Sequence, residues 1–81
     1  MSFSDLKGKT VLVTGGAQGI GKGITLRLLR EGMTVVLGDI DGEAGQETLR
    51  EFRDEGESHF VTLDVSSESS VRDAVAWTLS T

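Results

Sequence analysis

Thr10-Val11-Leu12-Val13-Thr14-Gly15-Gly16-Ala17-Gln18-Gly19-Ile20-Gly21 is the stretch on which the fold turns. A short aliphatic run rich in β-branched residues passes without a break into glycines, and helical periodicity begins within them. That order reads as a strand feeding a helix, the opening of an α/β unit. The three spaced glycines have separate physical jobs. Gly15 lets the chain turn off the strand at dihedrals a side chain resists. Gly19 lets backbone approach a ligand where a Cβ would intrude, and Gly21 lets the helix pack tightly against the sheet. Free amides at the helix N-terminus then face a pyrophosphate, helped by the helix dipole. The spacing is G-x-x-x-G-x-G, which differs from the commoner G-x-G-x-x-G. A turn that is tight for structural reasons alone would also use glycines, so the features downstream decide between the two.

Two more aliphatic runs follow, Thr34-Val35-Val36-Leu37 and Phe60-Val61-Thr62-Leu63. The run centres Leu12, Val36 and Val61 are separated by 24 (36 − 12) and 25 (61 − 36) residues. Each run is continuously apolar, as parallel strands covered on both faces are. Helical stripes lie between and after them. Ile20, Ile24, Leu28 and Leu29 form the first, with Gly32 as its C′ stop. Gly45, Leu49 and Phe52 form the second, with Asp41 as N-cap and Gly56 as the stop. Val71, Ala74, Val75 and Thr78 or Leu79 form the third, opened by Ser66 or Ser67. The order is β-α-β-α-β-α.

Composition narrows the function. The 81 residues are 37% hydrophobic and 26% charged, with eleven glycines and neither proline nor cysteine. Disorder, collagen, disulfide scaffolds and cysteine metal sites do not fit. A net charge of −5 argues against nucleic acid as a partner. No apolar run is long enough to span a membrane, and Met1 to Lys9 lacks the apolar core of a secretory signal. A cytoplasmic location is expected. Right-handed crossovers would set the three strands side by side, half of a doubly wound, Rossmann-type domain. The first strand then lacks its usual outer neighbour, and a bare edge invites association. Residues 1–81 are therefore read as the N-terminal portion of a single, incomplete domain. The rival is a short protein that completes its sheet by dimerising.

Two carboxylates stand at strand ends. Asp39 closes the second run, 18 residues beyond Gly21 (39 − 21). The carboxyl ends of neighbouring parallel strands share a crevice, so Asp39 lies beside the glycine loop. There it can accept bonds from the adenosine ribose hydroxyls and repel a 2′-phosphate. Its neighbours Gly38, Ile40 and Asp41 supply no cation, which favours NAD over NADP. A solvated loop aspartate is the plainer alternative. Asp64 closes the third run and is expected on the adenine side, or else as a cap for the third helix. A P-loop nearly fits Gly16 to Lys22, but Gly23 stands where a Ser or Thr must bind magnesium. A methyltransferase would carry an acidic residue just before the glycines, where Val13-Thr14 stands.

Thr14-Gly15-xxx-Gly19-x-Gly21, Asp39 and Asp64-Val65 together resemble the short-chain dehydrogenase/reductase family, and Leu6-Lys7-Gly8-Lys9-Thr10 is similar too. The resemblance covers the whole chain in pattern, but only the cofactor-binding front of such a protein. It implies a Rossmann fold, a nicotinamide dinucleotide, and hydride transfer between a small alcohol or carbonyl substrate and the nicotinamide. By motif position it implies Gly15, Gln18, Gly19, Ile20 and Gly21 at the pyrophosphate. Asp39 and Ile40 fall at the ribose, Asp64 and Val65 at the adenine. Gln18, where NADP-using members often carry a basic residue, agrees with NAD. The complete protein is expected to be a homo-oligomer.

The family's Asn-Asn-Ala-Gly stretch and its catalytic Ser and Tyr-x-x-x-Lys are absent, and the chain has no tyrosine or asparagine. No catalytic or metal-binding residue is assigned within it. Lys22 reads as helix packing or phosphate contact, His59 as a surface or edge residue, Trp77 as packing and Met33 as core. The alternative function is a non-catalytic dinucleotide-binding module or sensor that completes its sheet by association.

Overall fold

A computed structural model describes residues 8–80, so the Leu6-Lys7 part of the opening motif lies outside the described residues. The elements are β1 (Thr10–Thr14), α1 (Gly19–Arg30), β2 (Thr34–Asp39), α2 (Gly42–Glu51), β3 (Ser58–Thr62) and α3 (Glu68–Leu79). The strands form one parallel sheet in the order β1-β2-β3. This is the expected Rossmann-type β-α-β-α-β-α order. No helix among the described residues is long and apolar enough to cross a membrane.

The middle strand explains the rest. Val35, Val36 and Leu37 are fully buried, because β2 is paired on both sides and covered on both faces. Alternation sends Val35 and Leu37 toward one face, where they meet Leu29 of α1 and Phe52 just after α2. Val11, Val13 and Phe60 add to that layer. The third helix touches β1 and β3 and buries Ala74 completely. Met33 is core, as read.

The aliphatic run placed β3 at Phe60–Leu63, but the strand runs from Ser58 to Thr62. Pairing of Val35 with Ser58 and Val36 with His59 sets its start, so backbone register overrides hydropathy. Leu63 follows the strand yet stays tied to it, its amide donating to the Asp39 carbonyl at 2.9 Å.

The stripe of α1 needs correction. Ile20 and Ile24 are 84% and 47% exposed, and the buried positions are Thr25 and Leu29. The face that meets the fold is the Gly21, Thr25, Leu28 and Leu29 line, which a bulky residue at Gly21 could not reach. Gly32 ends the helix as expected. At φ +86° it donates to the Leu29 carbonyl while Met33 donates to that of Leu28, a Schellman pairing.

Asp41 caps α2 as expected, its Oδ1 accepting from the Ala44 amide at 3.0 Å. The helix ends at Glu51, well before Gly56, which instead sits in the turn that enters β3. The third stripe is also thinner than expected. Ser67 caps α3, but Val71, Val75 and Leu79 are exposed and Ala74 alone of the stripe is buried.

Candidate functional site

A cleft of about 320 Å³ opens where the three strands end. Gly15 follows β1, Gly38 and Asp39 finish β2 with Ile40 beyond them, and Leu63, Asp64 and Val65 follow β3; all seven line the cleft. The carboxyl ends of parallel strands are where open α/β sheets hold their ligands. Five of the residues expected at the site meet here: Gly15, Asp39, Ile40, Asp64 and Val65. Gln18, Gly19, Ile20 and Gly21 are not in its lining; Gln18 is the N-cap of α1, at the end of the turn that starts at Gly15, and the other three are the first residues of the helix.

Gly15 (φ +66°) and Gly19 (φ +51°) adopt left-handed backbone, and the position of an added Cβ at either is open space. Gly21 is the opposite case, since a Cβ there would run into the Gly15 carbonyl. Its tight packing is against the turn itself, where packing against the sheet was expected. The Gly15 amide donates to the Gly38 carbonyl at 2.6 Å, tying the turn to β2.

Three consecutive carbonyls of the turn have protein donors. The Gln18 amide reaches the Gly15 carbonyl at 3.5 Å, the Thr25 hydroxyl the Gly16 carbonyl at 3.4 Å, and the Thr48 hydroxyl the Ala17 carbonyl at 3.2 Å. Negative ends of peptide dipoles are thereby committed inside the fold. Helix α1 also has no side-chain cap and no acidic residue in its first turn, whereas Asp41 and Ser67 cap the other two helices. The first amides of a helix lack intrahelical partners. Uncapped amides next to Gly19, where an added Cβ would meet nothing, are a donor set that fits a pyrophosphate.

The carboxylates are held differently. Asp39 is only 8% exposed, and its Oδ1 accepts from the Asp41 amide at 3.1 Å. Asp41 Oδ2 in turn accepts from Gln18 Nε2 at 3.4 Å, which links the glycine turn to the loop after β2. The Asp64 carboxylate accepts from both the hydroxyl and the amide of Ser66, at 2.6 and 3.0 Å. These bonds hold its pKa below the usual aspartate value. Asp64 is not the cap of α3; Ser67 is. Ile40 and Val65 project exposed apolar surface beside the two carboxylates, a combination that suits a flat aromatic ring with polar edges.

Lys22 pairs with Glu51 at 2.5 Å and lies over the Phe52 ring, so helix packing occupies it. His59 sits on edge strand β3, bonded to Glu57 at 2.7 Å and meeting Trp77 edge to face. Sequence reasoning missed Gly38, Leu63, Thr25 and Thr48. Gly38 left a signal, a glycine inside an apolar strand run: a Cβ there would meet Leu63 Cδ2 at 2.7 Å. The two threonines left none, being ordinary polar residues within helical segments.

A family model described as short chain dehydrogenase matches residues 9–81. An uncharacterized oxidoreductase of Thermotoga maritima is 44% identical over 75 residues, covering 91% of this chain and 29% of that protein. A short chain dehydrogenase/reductase from Burkholderia phymatum, solved in complex with NAD, superposes with a TM-score of 0.87 at 29% identity. That match covers 93% of this chain and 27% of the other. L-sorbose reductase from Gluconobacter frateurii, solved with NADPH and L-sorbose, gives a TM-score of 0.85 at 26% identity, over 93% and 29% of the two chains. The chain spans less than a third of the length of the curated relatives it matches.

Proposed function

Because the chain belongs to the short-chain dehydrogenase family, we propose that residues 1–81 form the NAD-binding front of an oxidoreductase. Its reaction is hydride transfer between an alcohol or carbonyl carbon and the nicotinamide. The bound dinucleotide supplies the hydride chemistry. The residues of this chain bind and orient it, and residues outside these 81 supply the proton transfer.

The glycine turn holds the pyrophosphate. Gly15 and Gly19 leave room for it, Gly21 brings α1 close, and beside Gln18 the amides of Gly19 and Ile20 donate to it. Asp39 accepts from the adenosine ribose hydroxyls, with Ile40 as an apolar flank. Asp64 and Val65 hold the adenine in the same way.

One observation carries the preference for NAD. Asp39 is a nearly buried carboxylate in the cleft, and its neighbours Gly38, Ile40 and Asp41 offer no cation to a 2′-phosphate. The Burkholderia phymatum complex with NAD supports the same reading, whereas the NADPH complex of L-sorbose reductase is the precedent against it. Titration calorimetry of the intact protein separates them. NAD is expected to bind more tightly than NADP. Asp39→Ala should weaken NAD about 10- to 100-fold, the loss of a charge-assisted hydrogen bond, and narrow the gap between the two. Tighter NADP binding by the unmutated protein overturns the assignment.

A further inference from the structure

Thr48 is 2% exposed, and its hydroxyl crosses 31 residues of sequence to donate to the Ala17 carbonyl at 3.2 Å. Threonine is a modest helix former, and a buried hydroxyl costs stability unless it is bonded. Valine would fill the same volume on α2 without that cost. The hydroxyl therefore has its use at the far end of the bond, in the glycine turn.

A peptide plane is rigid, with its carbonyl and amide pointing opposite ways. Drawing the Ala17 carbonyl toward Thr48 turns the Gln18 amide the other way, and that amide reaches the Gly15 carbonyl. One buried hydroxyl thus sets two of the three carbonyls that the turn withdraws from its open side. Thr25 sets the third, from within α1, also bonding the Gly21 carbonyl at 2.9 Å. The α2 contact is the long-range one. It fixes the turn against the same helix whose first residues follow the ribose loop at Asp39 to Asp41.

We infer that Thr48 is a positioning residue for dinucleotide binding: through the Ala17 carbonyl it holds the glycine turn with its amides presented to the pyrophosphate. The inference rests on the dinucleotide reading above. Without the bond, the Ala17 carbonyl competes for the space of an anion, and the turn must be ordered anew at each binding event.

The test compares Thr48→Val and Thr48→Ser in the intact protein, with NAD, ADP-ribose and adenosine as ligands. Thr48→Val is expected to weaken NAD and ADP-ribose about 5- to 20-fold, the scale of one buried hydrogen bond. Adenosine, which lacks the pyrophosphate, keeps its affinity, and Thr48→Ser restores the other two. Without ligand, amides of residues 16–21 exchange hydrogen faster in the valine variant than in the serine variant. Equal binding of ADP-ribose by all three proteins, or an equal loss for adenosine, overturns the positioning role while leaving the function intact. An unmutated protein that binds neither NAD nor NADP overturns the function itself, and the inference with it.

Discussion

Gly19 and Gly21 stand two residues apart and are glycine for different reasons, which single substitutions can separate. Around Gly19 there is open space, so a side chain there meets ligand and the strain of a positive φ before it meets protein. Gly19→Val should abolish dinucleotide binding while far-UV circular dichroism stays close to that of the parent. Gly21→Val drives a branched side chain into the Gly15 carbonyl. It should cost about 1–3 kcal/mol of stability, the scale of overpacking, and binding as well. Fluorescence titration that finds normal NAD affinity in both would make the turn purely structural. Asp64 offers a third test at this scale. Its bonds to Ser66 favour the ionised form and lower its folded pKa. Their contribution is therefore present above the unfolded value, near 4, and lost as pH falls through the folded one. Carboxyl NMR titration should place Asp64 below an ordinary aspartate, and Ser66→Ala should bring it back up.

At the scale of elements, α2 is the piece that joins the glycine turn, the loop after β2 and the sheet. Its inner face is small where β3 comes close: a Cβ on Gly45 would run into the Phe60 ring. Gly45→Ala gains helix propensity of about 1 kcal/mol, yet the clash with a partly buried aromatic ring packed against the core should outweigh it. A net loss of about 1–2 kcal/mol is expected, and Phe60→Leu in the same chain should recover part of it. Urea unfolding of the two variants and their combination measures the coupling. Much of this layer was legible in the residues. Aliphatic runs located all three strands, Asp41 marked a cap and Gly32 a stop, because each reflects chemistry within a few residues. What was not legible depends on distance in sequence. Ile20 and Ile24 keep helical spacing but lie on the open face, since the packing face is chosen by Gly21 meeting Gly15. Ser58 joins β3 because Val35 lies opposite. Thr48 owes its role to Ala17, and no local pattern announces that pairing.

The whole molecule raises the question of what 81 residues can do alone. Hydride transfer in this family requires a proton at the carbonyl oxygen, a contribution of roughly 10²- to 10⁴-fold. The chain contains no tyrosine to take the family's acid–base role, and the titratable residues at its cleft, Asp39 and Asp64, are engaged with Asp41 and Ser66. Its architecture is equally one-sided. The described sheet pairs β1 on one edge only, through β2, and α3 leaves Val71, Val75, Trp77 and Leu79 exposed. An unpaired edge beside exposed aliphatic residues favours association. The chain expressed as residues 1–81 should therefore self-associate, with weighted-average mass rising with concentration in sedimentation. It should also show no sustained turnover of alcohols or ketones when NADH absorbance is followed across broad substrate panels. Binding and catalysis are expected to part company here, because the strand ends proposed to recognise a dinucleotide lie within these residues and no tyrosine does. Cofactor-dependent turnover by the purified chain would move the chemistry onto residues assigned to binding, and the division of labour proposed for this domain would fall.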